Sequence, residues 1–460
     1  MVINGMAINP VFNLQWHLTT RCELKCRHCY LRGRNRSSAN ELDLDQCCQV
    51  IDSFVHAAVV LDARPTVDLT GGDPLLYQHF WELLDYLRKK NVQISILGTP
   101  DKLNHFTAKQ LKSYGAMDYQ LSIDGLEEKH DWLRHKGSFA KNMEAFGLLK
   151  QYDISTGMMY TLTRHNRDDL IPVMNLAAEM EHRAFAFDTV SPVGPEDGCQ
   201  SLMLSPLEFR QIYKEYLQES KRLGEKGYRT VFTRKNHLYA LIMEEENRLK
   251  PIESDRTTYF MGCPIGKGLI INADGSVLCC PRIPIEIGRV PQEEILDILL
   301  YSDMLTKFRD RSNHRVCGNC SLFQYCRGCR ASAWGVSGDI FGPDPYCWKQ
   351  VEAQDVETPL STDEGEESIQ PSQEQSYENG RKIMSIYYGW DYQPRPKYDA
   401  NVQQILGRAW RDLEFRKQLL TDPEEACQQA GIEVSDTILF ELGRIEFDSI
   451  YDILADTTNQ

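Results

Sequence analysis

At 460 residues the chain is long enough for two or three domains. No run of about eighteen apolar residues occurs, and the N-terminus lacks a basic stretch followed by an apolar one, which argues against a spanning helix and a secretory signal and for a reducing, cytoplasmic location. There the fifteen cysteines read as metal ligands rather than disulfides, while a net charge of −15 argues against nucleic acid as a partner.

From residue 11 to about 225, short β-rich runs alternate with amphipathic helical stretches. The predicted strands are FNLQWHLT (12–19), PTVDLTGG (65–72), VQISILGT (92–99), DYQLSIDG (118–125), STGMMYTLT (155–163) and AFAFDTVSP (184–192). Between them QHFWELLDYLRKK, FAKNMEAFGLLKQY and LIPVMNLAAEM place apolar residues three and four apart, the helical period. Repeated βα units imply an α/β fold with a parallel sheet, and six of them a partial (β/α)6 barrel of TIM type, whose site forms at the C-terminal ends of the strands. This unit is assigned to residues 1–230. The helical pattern that begins with SPLEFRQIYKEYLQESKRLGEKG continues as a bridge over 231–262 and leads to a cysteine-dense block over 263–350. Residues 351–380 hold nine acids and no Lys or Arg. Such composition does not bury enough apolar surface to fold, so 351–399 reads as a disordered acidic linker. A small helical unit occupies 400–460, in which Asp422-Pro423 has the form of an N-cap with proline at N1 and Gly431 of a stop.

The first cysteine group, Cys22-x3-Cys26-x2-Cys29, directly follows the first strand. Thiolates suit zinc or iron–sulfur clusters. A closed zinc site needs four ligands, and the nearest fourth, His28, adjoins Cys29 and would have to bend back sharply. Three thiolates on a four-iron cluster instead leave one iron open to an exchangeable ligand. With Tyr30 after the last cysteine, the motif resembles that of the radical S-adenosylmethionine (SAM) superfamily. The turn Gly71-Gly72-Asp73-Pro74 after strand two resembles the element that contacts the methionine amino group there. LSIDG after strand four resembles the ribose-contacting segment, making Ser122 and Asp124 candidates.

The second block runs Cys263, Gly275, Cys280, then Cys317-x2-Cys320-x5-Cys326-x2-Cys329, and Cys347. It resembles the SPASM domain, with x2 before Cys329 where x3 is usual. The resemblance implies two auxiliary [4Fe–4S] clusters besides the SAM-binding one. Cys317, Cys320, Cys326 and Cys347 would hold the outer cluster, and Cys263, Cys280 and Cys329 the inner. Cys279 adjoins Cys280 in a strand, where neighbouring side chains point to opposite faces. An inner cluster with an open iron or an oxygen ligand is therefore expected. The bland alternative is a pair of zinc ribbons. Cys47, Cys48, Cys199 and Cys427 read as small buried residues, and His17, Tyr160 and Asp188 as core or surface.

The resemblance implies hydrogen abstraction by a 5′-deoxyadenosyl radical, fed by a reductant such as flavodoxin or ferredoxin. SPASM-bearing relatives mostly modify peptides. Pro281 stands where sulfatase-maturing relatives carry an acidic base, which lowers that reading. RAWRDLEFRKQLLTDPEEACQQAGIEV resembles the leader region of nitrile-hydratase-type precursor peptides, pointing to a maturase of ribosomally made peptides, with a leader-recognition protein as a further partner. The whole chain looks most like maturases that include the spliceases, which excise a tyramine unit at a Tyr-Gly site and leave an α-keto-β-amino acid. Thioether-forming, cyclophane-forming and epimerising relatives are the alternatives, and a non-catalytic iron–sulfur peptide-binding protein is the rival class. No catalytic acid or base emerges from the sequence.

Overall fold

A computed structural model describes residues 2–3, 6–7, 11–31, 40–61, 63–116, 118–193, 199–249, 265–266, 268–352, 418, 422–429 and 431–432. Its centre is a ten-stranded sheet. Six parallel strands follow chain order: β1 (Val11–Thr19), β2 (Arg64–Gly71), β3 (Gln93–Leu97), β4 (Asp118–Ser122), β5 (Ser155–Leu162) and β6 (Ala184–Thr189). Sequential order with helical crossovers is the partial barrel expected from the alternation.

The strands are two-faced. On β1, Phe12, Leu14, Trp16 and Leu18 are buried, as are Val67 and Leu69 on β2, Ile94 and Ile96 on β3, and Phe185 and Phe187 on β6. Period-two alternation gives the other face to Asn13 and Gln15, Thr66 and Asp68, Gln120 and Ser122, and Ala184, Ala186 and Asp188. The Asn13 amide donates to Thr66 Oγ1 at 3.0 Å. This second face is polar and only partly buried, so the barrel encloses a chamber instead of the packed side-chain layers of a closed (β/α)8 barrel.

The outer layer supplies the core. Helix α1 (Leu44–Val60) starts on a reciprocal cap between Asp43 and Gln46. Helix α2 (Pro206–Glu225) starts on the same device, Ser205 with Glu208, and proline at N1. Its aromatic face packs on β6, with Phe187 4.5 Å from Tyr216 and 5.3 Å from Tyr213 between ring centroids. Phe209 on the same helix reaches Tyr346 at 5.7 Å, tying the second cysteine block to the barrel. The expected bridge is not a plain helical spacer. It opens with strand β7 (Val231–Phe232), which extends the sheet beside β6, followed by helix α3 (Tyr239–Glu245).

At the opposite edge, β8 (Leu269–Ile271) pairs parallel to β1, and the antiparallel strands β9 (Ser276–Cys280) and β10 (Ile283–Arg289) complete the sheet. The second domain thus shares a sheet with the barrel. Helix α4 (Ile295–Tyr301) docks on α1 through Ser53, whose hydroxyl donates to Glu294 at 2.6 Å and accepts from the Ile295 amide at 2.9 Å.

In the C-terminal unit, Pro423–Gln429 is helical, the Asp422 carboxylate accepts from the Glu425 amide at 3.0 Å, and Gly431 adopts φ +69°. The rest of the leader-like unit and the acidic linker beyond residue 352 lie outside the described residues. Among the described residues no helix is long and apolar enough to cross a membrane.

Candidate active site

A cavity of about 270 Å³ lies at the C-terminal ends of the strands. Cys22, Cys26, Cys29 and Tyr30 line it after β1, Gly71 and Gly72 after β2, and Ser122 at the end of β4. The far wall comes from Asp188, Lys235 and the β9–β10 turn, Pro281 and Arg282.

Cys26 is buried, and Cys22 and Cys29 are partly so. Burial pushes the Cys22 thiol up to about 11 and raises Cys26 as well, with the Cys29 thiolate adding to both. Buried thiols that resist ionisation are stable as thiolates only against a compensating metal charge. This all-sulfur donor set at one end of a chamber fits an iron–sulfur cluster.

The Gly-Gly turn is locked onto the cysteine loop. The Gly72 amide donates to Thr19 O and the Asp73 amide to Arg21 O, both at 2.8 Å. A Cβ on Gly71 would stand 2.2 Å from Thr19 O, and one on Gly72 2.0 Å from Arg21 O. The glycines therefore permit close approach of two loops, leaving their own backbone at the cavity. Asp73, the next residue of the turn, is buried. Its carboxylate turns away from the cavity, accepting from Thr99 Oγ1 at 2.7 Å and capping the short turn at Pro74 through the Leu75 amide at 3.1 Å. Desolvation pushes it up to about 6. Pro74 is buried at N1 of that turn.

Ser122 lines the cavity, and Asp124 is not among its lining residues. Fully buried, its carboxylate receives Arg134 Nε at 2.6 Å and the Thr161 amide at 2.7 Å, and sits 3.1 Å from His28 Nε2. Burial raises its pKa, but Arg134 and His28 outweigh that and hold it well below the usual carboxylate range. Arg134 Nη1 in turn lies 3.9 Å from Cys26 Sγ. Asp124 thus anchors the cysteine loop from behind. His28, weighed in the sequence as a zinc ligand, is committed to this contact.

Asp188 lines the cavity and is neither plain core nor surface. Arg282 Nη2 donates to its Oδ2 at 3.0 Å, Asn236 Nδ2 to its Oδ1 at 2.9 Å, and Arg282 Nη1 to Ser191 Oγ at 2.8 Å. Lys235 lines the cavity and is exposed, yet enough protein surrounds it that desolvation lowers its pKa, with Asp188 and Asp68 pulling the other way. Sequence reading passed over Lys235 and Arg282, since neither lies in a motif. Tyr160 is core, its hydroxyl donating to Asn166 O. His17 is buried, with Nε2 3.5 Å from the Tyr30 hydroxyl.

The second cysteine block separates into two groups. Burial, then the Asp344 charge and the Cys317 thiolate, raise Cys326 and take Cys347 to about 12. The Leu322 and Gly328 amides donate to the sulfurs of Cys320 and Cys326, each at 3.4 Å. Arg282 instead feels Cys329 and Cys280. Cys263 lies outside the described residues. Cys279 belongs to the hydrophobic core while Cys280 is half-buried, as strand alternation requires.

Residues 16–177 match the Radical SAM superfamily and residues 263–330 the SPASM iron–sulfur cluster-binding domain. An AdoMet-dependent heme synthase of Methanosarcina barkeri is 27% identical over 73% of this chain and 95% of its own. The mycofactocin maturase MftC of Mycolicibacterium smegmatis is 25% identical over 73% of this chain and 82% of its own. Among solved structures, Streptococcus suis SuiB bound to precursor peptide SuiA superposes with a TM-score of 0.59 at 16% identity, over 74% of this chain and 76% of SuiB.

Proposed function

We propose, for a chain that is a radical SAM enzyme binding SAM and iron–sulfur clusters, that the substrate is a ribosomally synthesised precursor peptide. The carrying observation is the shared cavity. The auxiliary domain contributes Pro281 and Arg282 to the chamber in which Cys22, Cys26 and Cys29 stand, so the inner-cluster loop flanks the place where substrate must bind. MftC is named a maturase and SuiB has been solved with a precursor peptide, which supports the peptide class. The leader-like C-terminal sequence supports it independently.

Cys22, Cys26 and Cys29 would hold the SAM-binding cluster, the Gly71–Gly72 backbone the methionine end and Ser122 the ribose. Cys317, Cys320, Cys326 and Cys347 would hold the outer cluster, and Cys263, Cys280 and Cys329 the inner. When bound, the cluster and SAM supply a carbon-centred radical that abstracts hydrogen from an unactivated carbon. The protein's own part is to orient the peptide, exclude water and confine the radical, which the strand-end chamber does. Within this class the reading is excision of a tyramine unit at a Tyr-Gly site, with thioether or cyclophane cross-linking and epimerisation as the alternatives. The tail either enters a leader site or engages a leader-recognition protein, and flavodoxin or ferredoxin supplies the electron.

Co-expression with a precursor peptide followed by mass spectrometry separates the chemistries. Loss of a tyramine mass supports splicing, loss of two hydrogens cross-linking, and an unchanged mass with an inverted stereocentre epimerisation. A second reading rests on the heme synthase relative. It predicts turnover of an iron porphyrin precursor with SAM and no change in any peptide.

A further inference from the structure

Asp344 stands where the two groups of auxiliary cysteines meet, and it is only 1% exposed. Its Oδ2 accepts from the Cys329 amide at 2.7 Å, and its backbone carbonyl accepts from the Cys347 amide at 3.0 Å. One residue therefore grips an inner-group cysteine through its side chain and an outer-group cysteine through its backbone. The Tyr346 amide donates to Oδ1 at 3.0 Å, and His237 Nε2, from the bridge just before α3, lies 2.8 Å from Oδ2.

The turn between Cys326 and Cys329 is shaped to admit this carboxylate. Gly328 has φ +67°, and a Cβ there would stand 2.9 Å from the Asp344 Cβ. The two buried cations nearby are divided between the groups. Arg330 Nη2 lies 3.7 Å from Cys317 Sγ, whereas Arg282 faces Cys329 and Cys280. Asp344 is common to both: its charge reaches Cys329 on one side and Cys317, Cys326 and Cys347 on the other. A neutral acceptor would satisfy the same amides without the desolvation of a buried charge or its repulsion by thiolates. The carboxylate is therefore explained by its field and not by its hydrogen bonds alone.

We propose that Asp344, held by His237, sets the reduction potentials of both auxiliary clusters together. The proposal rests on the division of the cysteines between an inner and an outer cluster. A fixed negative charge beside a cluster opposes the entry of a further electron, so it lowers the potential. Its effect falls on two clusters at once because its contacts do. His237 draws on the same carboxylate oxygen as the Cys329 amide and limits the drop. Each auxiliary cluster then holds an added electron weakly and gives it up readily, with no bond made or broken.

The test is a potentiometric titration of the cluster-loaded full chain at one fixed pH, followed by electron paramagnetic resonance. Asp344→Asn should raise both auxiliary midpoint potentials by about 59 mV, a tenfold change in the ratio of reduced to oxidised cluster. His237→Phe should lower both, and His237→Gln, which keeps a donor, should stay near the parent. Opposite signs in the first two variants are what a loosened domain would not produce. Unchanged potentials at full iron content overturn the proposal, as does a shift confined to one cluster or of the same sign in both variants. Should Asp344→Asn lose iron, His237→Phe decides alone, since it leaves the bonds to the cysteine amides in place; parent-like potentials there overturn the proposal. Failure of the underlying division looks different: Cys326→Ala and Cys329→Ala would then delete the same cluster signal.

Discussion

Arg282, in the turn between β9 and β10, donates through Nη2 to Asp188 at the end of β6 at 3.0 Å. This ion pair closes the cavity from the side opposite the cysteine loop and joins the auxiliary domain to the barrel. Burial raises the Asp188 pKa, but Arg282 and Lys235 outweigh it, so the carboxyl titrates lower than usual. A depressed carboxyl stabilises the fold above its unfolded pKa and loses that contribution as pH falls, here below about 4.

Removing one partner leaves the other charge without compensation. Arg282→Ala should cost about 2–4 kcal/mol in chemical denaturation, more than Arg282→Lys. The double variant Arg282→Met/Asp188→Leu should recover part of that loss, because it removes both charges together. A single variant as stable as the parent would mean that water already replaces the pair.

Asp124→Asn keeps the shape but removes the charge that Arg134 and His28 face. Arg134 then lies buried beside Cys26 with its counter-charge gone, and the cysteine loop loses its anchor from behind. Iron and sulfide content after anaerobic reconstitution should fall severalfold, and thermal stability by about 3 kcal/mol. Ser122→Ala, which alters the cavity wall only, should keep the iron and weaken SAM binding. Full iron content in Asp124→Asn with weakened SAM binding would restore the ribose contact inferred from the motif.

The cysteines, the glycine turn and the βα alternation were legible because each is a local pattern of scarce residue types. The partners of Asp124 are not legible, because its motif is local while they are not. His28 precedes it by a long stretch of chain, and Arg134 sits beyond the next helix. Asp188 and Arg282 are 94 positions apart and meet only because β8 pairs with β1, which brings the second domain's hairpin round to the barrel mouth. Lys235 lies in a turn with neither period nor motif, so no sequence rule points to it. Asp73 satisfied the motif's spacing but was claimed by Thr99 and a turn amide, a competition visible only in three dimensions.

His130 is fully buried behind the same loop, its Nδ1 accepting from the Asp124 amide at 3.0 Å. That bond requires a neutral ring. Desolvation, then Arg134, pulls the pKa from 6.5 down to about 4. A depressed histidine binds its proton more readily in the unfolded chain. Its contribution is therefore complete above about 6.5 and lost as pH falls towards 4, on the order of 3 kcal/mol in all. Denaturation between pH 7 and 4.5 should show a downward slope that flattens in His130→Asn.

Gly71 combines φ +139° with a Cβ position 2.2 Å from Thr19 O. Alanine there is strained by its backbone and blocked by an atom that is itself backbone. The Gly71→Ala chain should relieve the clash by parting the β2 turn from the cysteine loop. Calorimetric SAM affinity should drop at least about tenfold, with stability lower by about 2 kcal/mol or more. Gly137 also has positive φ but open space around it, so Gly137→Ala should cost about 1 kcal/mol and leave SAM affinity alone.

Cys279 and Cys280 are sequence neighbours with opposite environments. Cys279 is 2% exposed within the hydrophobic core, and Cys280 stands with Cys329 near Arg282. Cys280→Ala should therefore remove about one cluster's worth of iron and its electron paramagnetic resonance signal. Cys279→Ala should keep both at a stability cost of about 1 kcal/mol for the small void. With Cys279 in the core, the inner-cluster ligands expected from the sequence are Cys263, Cys280 and Cys329. A Mössbauer spectrum with one iron site distinct from the other three, unchanged in Cys279→Ala, is the expected result. Four equivalent thiolate-bound sites that become unequal in Cys279→Ala would place that sulfur on the cluster and require β9 to twist between the two residues.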